Sequence, residues 1–82
     1  MPTILRFRGL RVVIYSDDHR PPHVHVIGAD REAKIALGGE SQRPSLVVNE
    51  GLSRREVALA LVEIDRNRAL LMQRWREIHG DA

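Results

Sequence analysis

Eighty-two residues are one domain's worth of chain, which excludes an enzyme carrying a separate cofactor module. At 43% apolar and 29% charged residues the composition is that of a folded globular protein, and the absence of cysteine excludes a disulfide scaffold and any thiolate site. The net charge is only +2, but every basic residue except Lys34 is arginine, and Arg6, Arg8 and Arg11 share the first sixteen positions with no acid. Arginine's planar fork suits phosphate or carboxylate, so the bias favours an anionic partner; its bland source would be a GC-rich genome. No apolar run approaches the ~20 residues that span a bilayer, and those early arginines interrupt the place of a signal-peptide core. A cytoplasmic protein with no membrane partner is expected.

Taken in chain order, Ile4 to Arg8 and Arg11 to Ser16 read as extended, separated by Gly9. Asp17-Asp18-His19-Arg20-Pro21-Pro22 breaks regular structure, because the paired prolines lack N–H donors and restrict their predecessors. His23 to Ile27 is a clear strand, Gly28 to Arg31 a turn, and Glu32 to Leu37 the returning strand. Gly38 to Pro44 is loop, and Ser45 to Val48 a further short strand. Ser53-Arg54-Arg55-Glu56 is a capping box that opens a helix at once. Val57, Ala60, Leu61, Ile64, Leu71, Trp75 and Ile78 then fall on one stripe, with Arg68 as its flaw. An unbroken helix to His79 would be a rod of ~39 Å at 1.5 Å per residue, too long for a domain of ~12 Å radius of gyration. A break near Asn67, with Asn67 as a second N-cap, resolves this. The fold class is therefore α+β, one domain over residues 1–82: an antiparallel meander of three to four strands with one face covered by C-terminal helix.

Pairing the strands by apolar match puts Val12, Ile14, Val24, Val26, Ala33, Ile35 and Leu37 on the buried face. Arg11, Val13, Tyr15, His23, His25, Glu32 and Lys34 lie on the other, which is expected to be open. His-x-His on a strand places two imidazoles on one side, ~6.5–7 Å apart along the backbone. Three readings follow. The pair could ligate zinc with His19 or Asp18 as third ligand. It could serve as general acid and base of a metal-independent ribonuclease, with Arg11 or Lys34 stabilising the transition state. Or Asp18 simply caps the turn, His19 packs on the prolines and the histidines are half-buried surface residues. The candidate catalytic residues are Asp18, His23 and His25, the candidate nucleic-acid-binding residues Arg6, Arg8, Arg11 and Lys34, and no metal or cofactor is assigned. Pro22 to Ile27 lacks the third alternating histidine of a histidine-triad hydrolase, and Gly38-Gly39 is not a phosphate loop.

Met1-Pro2-Thr3-Ile4, Arg6, Gly9, the strand ending at Tyr15, Asp18-His19-x-Pro21-Pro22-His23-x-His25 and the late Trp75 together resemble the small bacterial family called domain of unknown function 4160. The resemblance covers nearly the whole chain. It implies a gene lying beside another small gene in a toxin–antitoxin-like arrangement, and a toxin-like role; it brings no agreed catalytic residues. Val24 stands where the family often has an aromatic residue, so stacking there is not available, and Gly38 to Pro44 does not align. The expected function is a toxin-like component of a two-gene module, acting on RNA or translation through the His/Arg face. The alternative is a non-catalytic protein- or nucleic-acid-binding regulatory module. The surplus of apolar residues in the last third, around Leu59, Val62 and Leu70, predicts a second protein chain, either another copy or the neighbouring gene's product.

Overall fold

The structure is a computed structural model, described over residues 3–39 and 41–80; Met1 and Pro2 of the family-like start and Glu40 of the loop lie outside the described residues. Five strands, β1 Thr3–Phe7, β2 Leu10–Val13, β3 His23–Ile27, β4 Glu32–Ala36 and β5 Ser45–Glu50, are followed by α1 Arg54–Arg66 and α2 Arg68–His79. The sheet is an antiparallel meander in the order β1-β2-β3-β4-β5. It has one strand more than expected because Gly9 is a hairpin rather than an interruption. Arg8 and Gly9 both take positive φ, 47° and 78°, as a tight hairpin turn requires, and β1 pairs back on β2 with Arg6 opposite Arg11. β2 stops at Val13, short of Ser16, and β5 runs two residues past Val48.

Register follows the apolar match. Val12 faces Val26, which faces Ala33, and Val24 faces Ile35. All seven residues expected inside are 0–1% exposed, and they form one core with Leu10, Leu52, Ala60, Ile64, Leu71 and Trp75. Val57 and Leu61 pack against it half-buried. The helices reach this core through a stapled turn: Asn49 and Leu52 exchange two hydrogen bonds, and Gly51 between them takes a φ of 104° that a side chain would resist. Ser53 then closes the capping box with Glu56 in both directions.

The helical segment does break at Asn67. The whole fold measures 34 Å on its longest axis, less than the unbroken rod would need. Asn67 occupies the N-cap position of α2 and its carbonyl accepts the Leu71 N–H, but its side chain makes no capping bond there; the side-chain amide donates back to the Glu63 carbonyl, closing α1. Arg68, the flaw in the stripe, is held in place because its guanidinium donates to the carbonyls of Leu37, Gly38 and Gly39, the backbone that leaves β4.

Candidate functional site

The site is built by three segments. β3 supplies His23 and His25, β4 supplies Glu32 and Lys34 in register beside it, and the β2–β3 connection supplies Asp18. Asp18 is fixed by its own turn: its backbone N–H donates to the Tyr15 carbonyl at 3.2 Å and its Oδ2 accepts from the Tyr15 N–H at 3.1 Å. The turn-capping role is therefore real, and it aims the carboxylate at the histidines. His25 Nε2 lies 3.2 Å from both Asp18 oxygens, and His23 Nε2 lies 3.4 Å from Oδ1.

The opposite ring nitrogens are tied down as well. His23 Nδ1 is 2.9 Å from the Pro21 carbonyl, and His25 Nδ1 is 2.9 Å from a Glu32 carboxylate oxygen. Both partners only accept, so both Nδ1 atoms carry hydrogen and donate. The second proline of the break leads the chain into β3, and the first turns its carbonyl onto His23, which is how a proline pair serves a strand histidine. The Tyr15 ring meets His25 edge-on at 4.5 Å between centroids. On the far side His23 touches Trp75 at 5.3 Å, and Trp75 is stacked on His79 at 3.8 Å.

This arrangement corrects one expectation. The face carrying the histidines is not open: His23 is 5% exposed and Val13 is fully buried. The Asp18 turn and Tyr15 close over that end of the sheet, while Trp75 comes up from α2 against His23. The His25 and Asp18 side chains are 13% and 12% exposed. Burial opposes ionisation of Asp18, but the His25 hydrogen bond, the Tyr15 backbone N–H and the charges of His25 and His23 outweigh it and hold the carboxyl below its ordinary range.

A cavity of about 260 Å³ lies over the cluster, lined among others by Asp18, His19, Arg20, His23, Lys34 and Val47. Lys34 and Arg20 are cations that join the histidine cluster there, and of the two only Lys34 was a candidate from the sequence. Of the arginines, register puts Arg6 and Arg11 on the sheet side of His25 and Lys34, and Arg8 sits exposed in the hairpin turn; none of the three lines the cavity. Among the described residues, Arg6, Arg8, Arg11 and Lys34 make no ion pair. His19 lines the cavity, but it is Asp18 that closes with the two histidines. Glu32, Tyr15 and Trp75 were not legible as partners of the site. Alternation put Glu32 and Tyr15 on the same face as His25, which hinted at their proximity, whereas nothing pointed to Trp75.

A family model described as a domain of unknown function, DUF4160, matches residues 9–76, and the chain belongs to that family. No curated protein and no solved structure matches the chain.

Proposed function

Starting from that family membership, we propose that the protein is the toxin-like component of a two-gene module, acting in the cytoplasm on RNA or the translation machinery through the cavity above Asp18, His23 and Lys34. The supporting observation is the meeting of a largely buried carboxylate–imidazole cluster and a lysine with no ion pair among the described residues at one cavity, on a sheet side that also carries Arg6 and Arg11. At about 260 Å³ the cavity is small by the standard of ligand sites, ~300–1,000 Å³, and suits a phosphate or ribose phosphate with the rest of the polymer outside. The arginines outside the cavity would then hold flanking phosphates.

A non-catalytic binding module is favoured by a different observation. Every nitrogen of His23 and His25 already has a partner, so neither ring offers a free base of the kind a metal-independent ribonuclease needs. The toxin-like reading therefore needs the cluster to act as a unit rather than as a free acid and base.

A second chain belongs to this proposal. Val62 and Leu70 remain 53% and 36% exposed on the helices, as the expected partner surface requires, while Leu59 is half-buried. Induced expression in a bacterial host, with and without the neighbouring gene, tests the reading. Growth arrest relieved by that gene and by Lys34→Glu supports it, and unimpaired growth at high expression without the neighbour overturns it.

A further inference from the structure

We infer that Asp18, His23 and His25 are three ligands of a divalent first-row transition ion, with zinc as the reference case. The inference says what occupies the floor of the cavity, but it stands on the geometry of the cluster and does not need the RNA-directed reading.

The first argument is the direction of the lone pairs. Both Nδ1 atoms donate, to the Pro21 carbonyl and to Glu32, so the one ring position left to hold either a proton or a metal ion is Nε2, and both Nε2 atoms point at the Asp18 carboxylate. Two imidazole nitrogens and a carboxylate facing one another with so little water access need positive charge between them, and one divalent ion serves all three at once where protons would have to charge both rings. The second argument is spacing. Zinc bonds of ~2.0–2.2 Å to nitrogen and oxygen put tetrahedral ligand atoms ~3.3–3.6 Å apart. Here the Asp18 oxygen stands 3.4 Å from His23 Nε2 and 3.2 Å from His25 Nε2, and the three ligand atoms all lie within 4.8 Å of one another.

The third argument is the outer support. A metal-bound histidine commonly donates its other N–H to a carboxylate or a backbone carbonyl, which fixes the tautomer and ring angle. His25 has the carboxylate and His23 the carbonyl. Charge also closes: a divalent cation balances Asp18 and Glu32, the two acids that touch the rings. Three protein ligands leave a position for a small molecule, and the cavity beside Asp18 and His23 is its access. When bound, the ion would supply a Lewis acid for a phosphate oxygen beside Lys34.

The test is direct metal binding to tag-free, chelator-stripped protein, with no substrate present. Zinc titrated calorimetrically should saturate at one equivalent and change the fluorescence of Trp75, the single tryptophan, which touches His23. Cobalt should give visible absorption of tetrahedral intensity. Asp18→Asn and His25→Gln should each weaken binding at least a hundredfold, Glu32→Gln ~10–100-fold as an outer partner, and Lys34→Gln hardly at all. Absence of saturable zinc binding by the native chain overturns the inference and leaves the cluster as a proton-bridged imidazolium–carboxylate group. Binding kept by Asp18→Asn but lost by His19→Ala overturns the ligand set. Should a ligand variant fail to fold, the native stoichiometry and the cobalt spectrum still decide. Metal binding without growth arrest removes the toxin reading alone, and growth arrest without metal binding removes this inference alone.

Discussion

Arg31, in the turn between β3 and β4, and Glu56, in the first turn of α1, are joined by a two-pronged ion pair across twenty-five residues of sequence. Arg31 Nη2 donates to Oε2 at 2.8 Å and Nε lies 3.2 Å from both carboxylate oxygens. The same Glu56 accepts the Ser53 N–H at 3.0 Å, so one carboxylate closes the helix start and ties it to the sheet. Arg31, then the Ser53 backbone N–H, hold the Glu56 carboxyl below its ordinary range against the small opposing effect of burial. A carboxyl lowered on folding contributes stability that is full above its unfolded pKa and is lost as pH falls through the lowered folded value. Glu56→Gln should therefore lower the denaturation midpoint at neutral pH, with the gap to the native protein narrowing below about pH 4. A gap that stays constant or widens in acid would assign the loss to packing.

Ser53→Ala isolates the cap from the ion pair. The Ser53 hydroxyl accepts the Glu56 N–H at 3.1 Å, and its removal should cost about 1 kcal/mol, within the usual 0.5–2. Chemical denaturation measures this, and a midpoint unchanged within error would show that the Glu56 half of the box suffices.

These contacts also show how far the sequence could be read. The capping box and the strand core face were legible because each depends on neighbours close in sequence or on a two-residue alternation, and the break at Asn67 because an unbroken helix would outrun a domain of this size. Arg31–Glu56, the Glu32 support of His25 and the Trp75 wall behind His23 were not, since they depend on how the meander and the helices close on one another. Val13 and His23 show the limit best. Alternation put them on the outer face correctly, but could not tell that the Asp18 turn, Tyr15 and Trp75 would cover that end of it.

His23 and His25 should consequently behave differently when truncated. His23 is 5% exposed and lies against Trp75, so His23→Ala leaves a void beside that ring and removes the donor to the Pro21 carbonyl, and should cost about 1–3 kcal/mol. His25→Ala opens onto a more accessible part of the cluster and should cost less. Paired urea denaturation curves followed by circular dichroism check the order, and equal losses would mean that the cluster unfolds as one.

Arg68 gives a fourth stability test. Its guanidinium is the donor for three consecutive carbonyls leaving β4, so Arg68→Met, which keeps the stem and removes the donors, should lower stability by about 1–3 kcal/mol and loosen the chain around Gly38 and Gly39. Hydrogen exchange would localise the effect. Unchanged protection at Leu37 and the following residues would show that water replaces the guanidinium at little cost.

The last prediction concerns β5, the edge of the sheet that pairs only with β4. Leu46, Val47 and Val48 are 40%, 51% and 45% exposed, and a register shift between Lys34 and Ile35 leaves Val47 as the extra residue of this strand. A six-residue edge strand with three consecutive exposed apolar residues, and with neither lysine nor proline inside it, invites another strand. Two copies meeting antiparallel along β5 about a two-fold axis would satisfy both edges at once, and two-fold pairs are the commonest closed assembly. The protein alone should therefore scatter light as a dimer, and Val47→Lys, on an exposed position, should convert it to a folded monomer with its circular dichroism unchanged. A native protein that is monomeric at every concentration tested removes the self-pairing. In that case, loss of co-purification with the neighbouring gene's product on Val47→Lys would transfer the same edge to that partner.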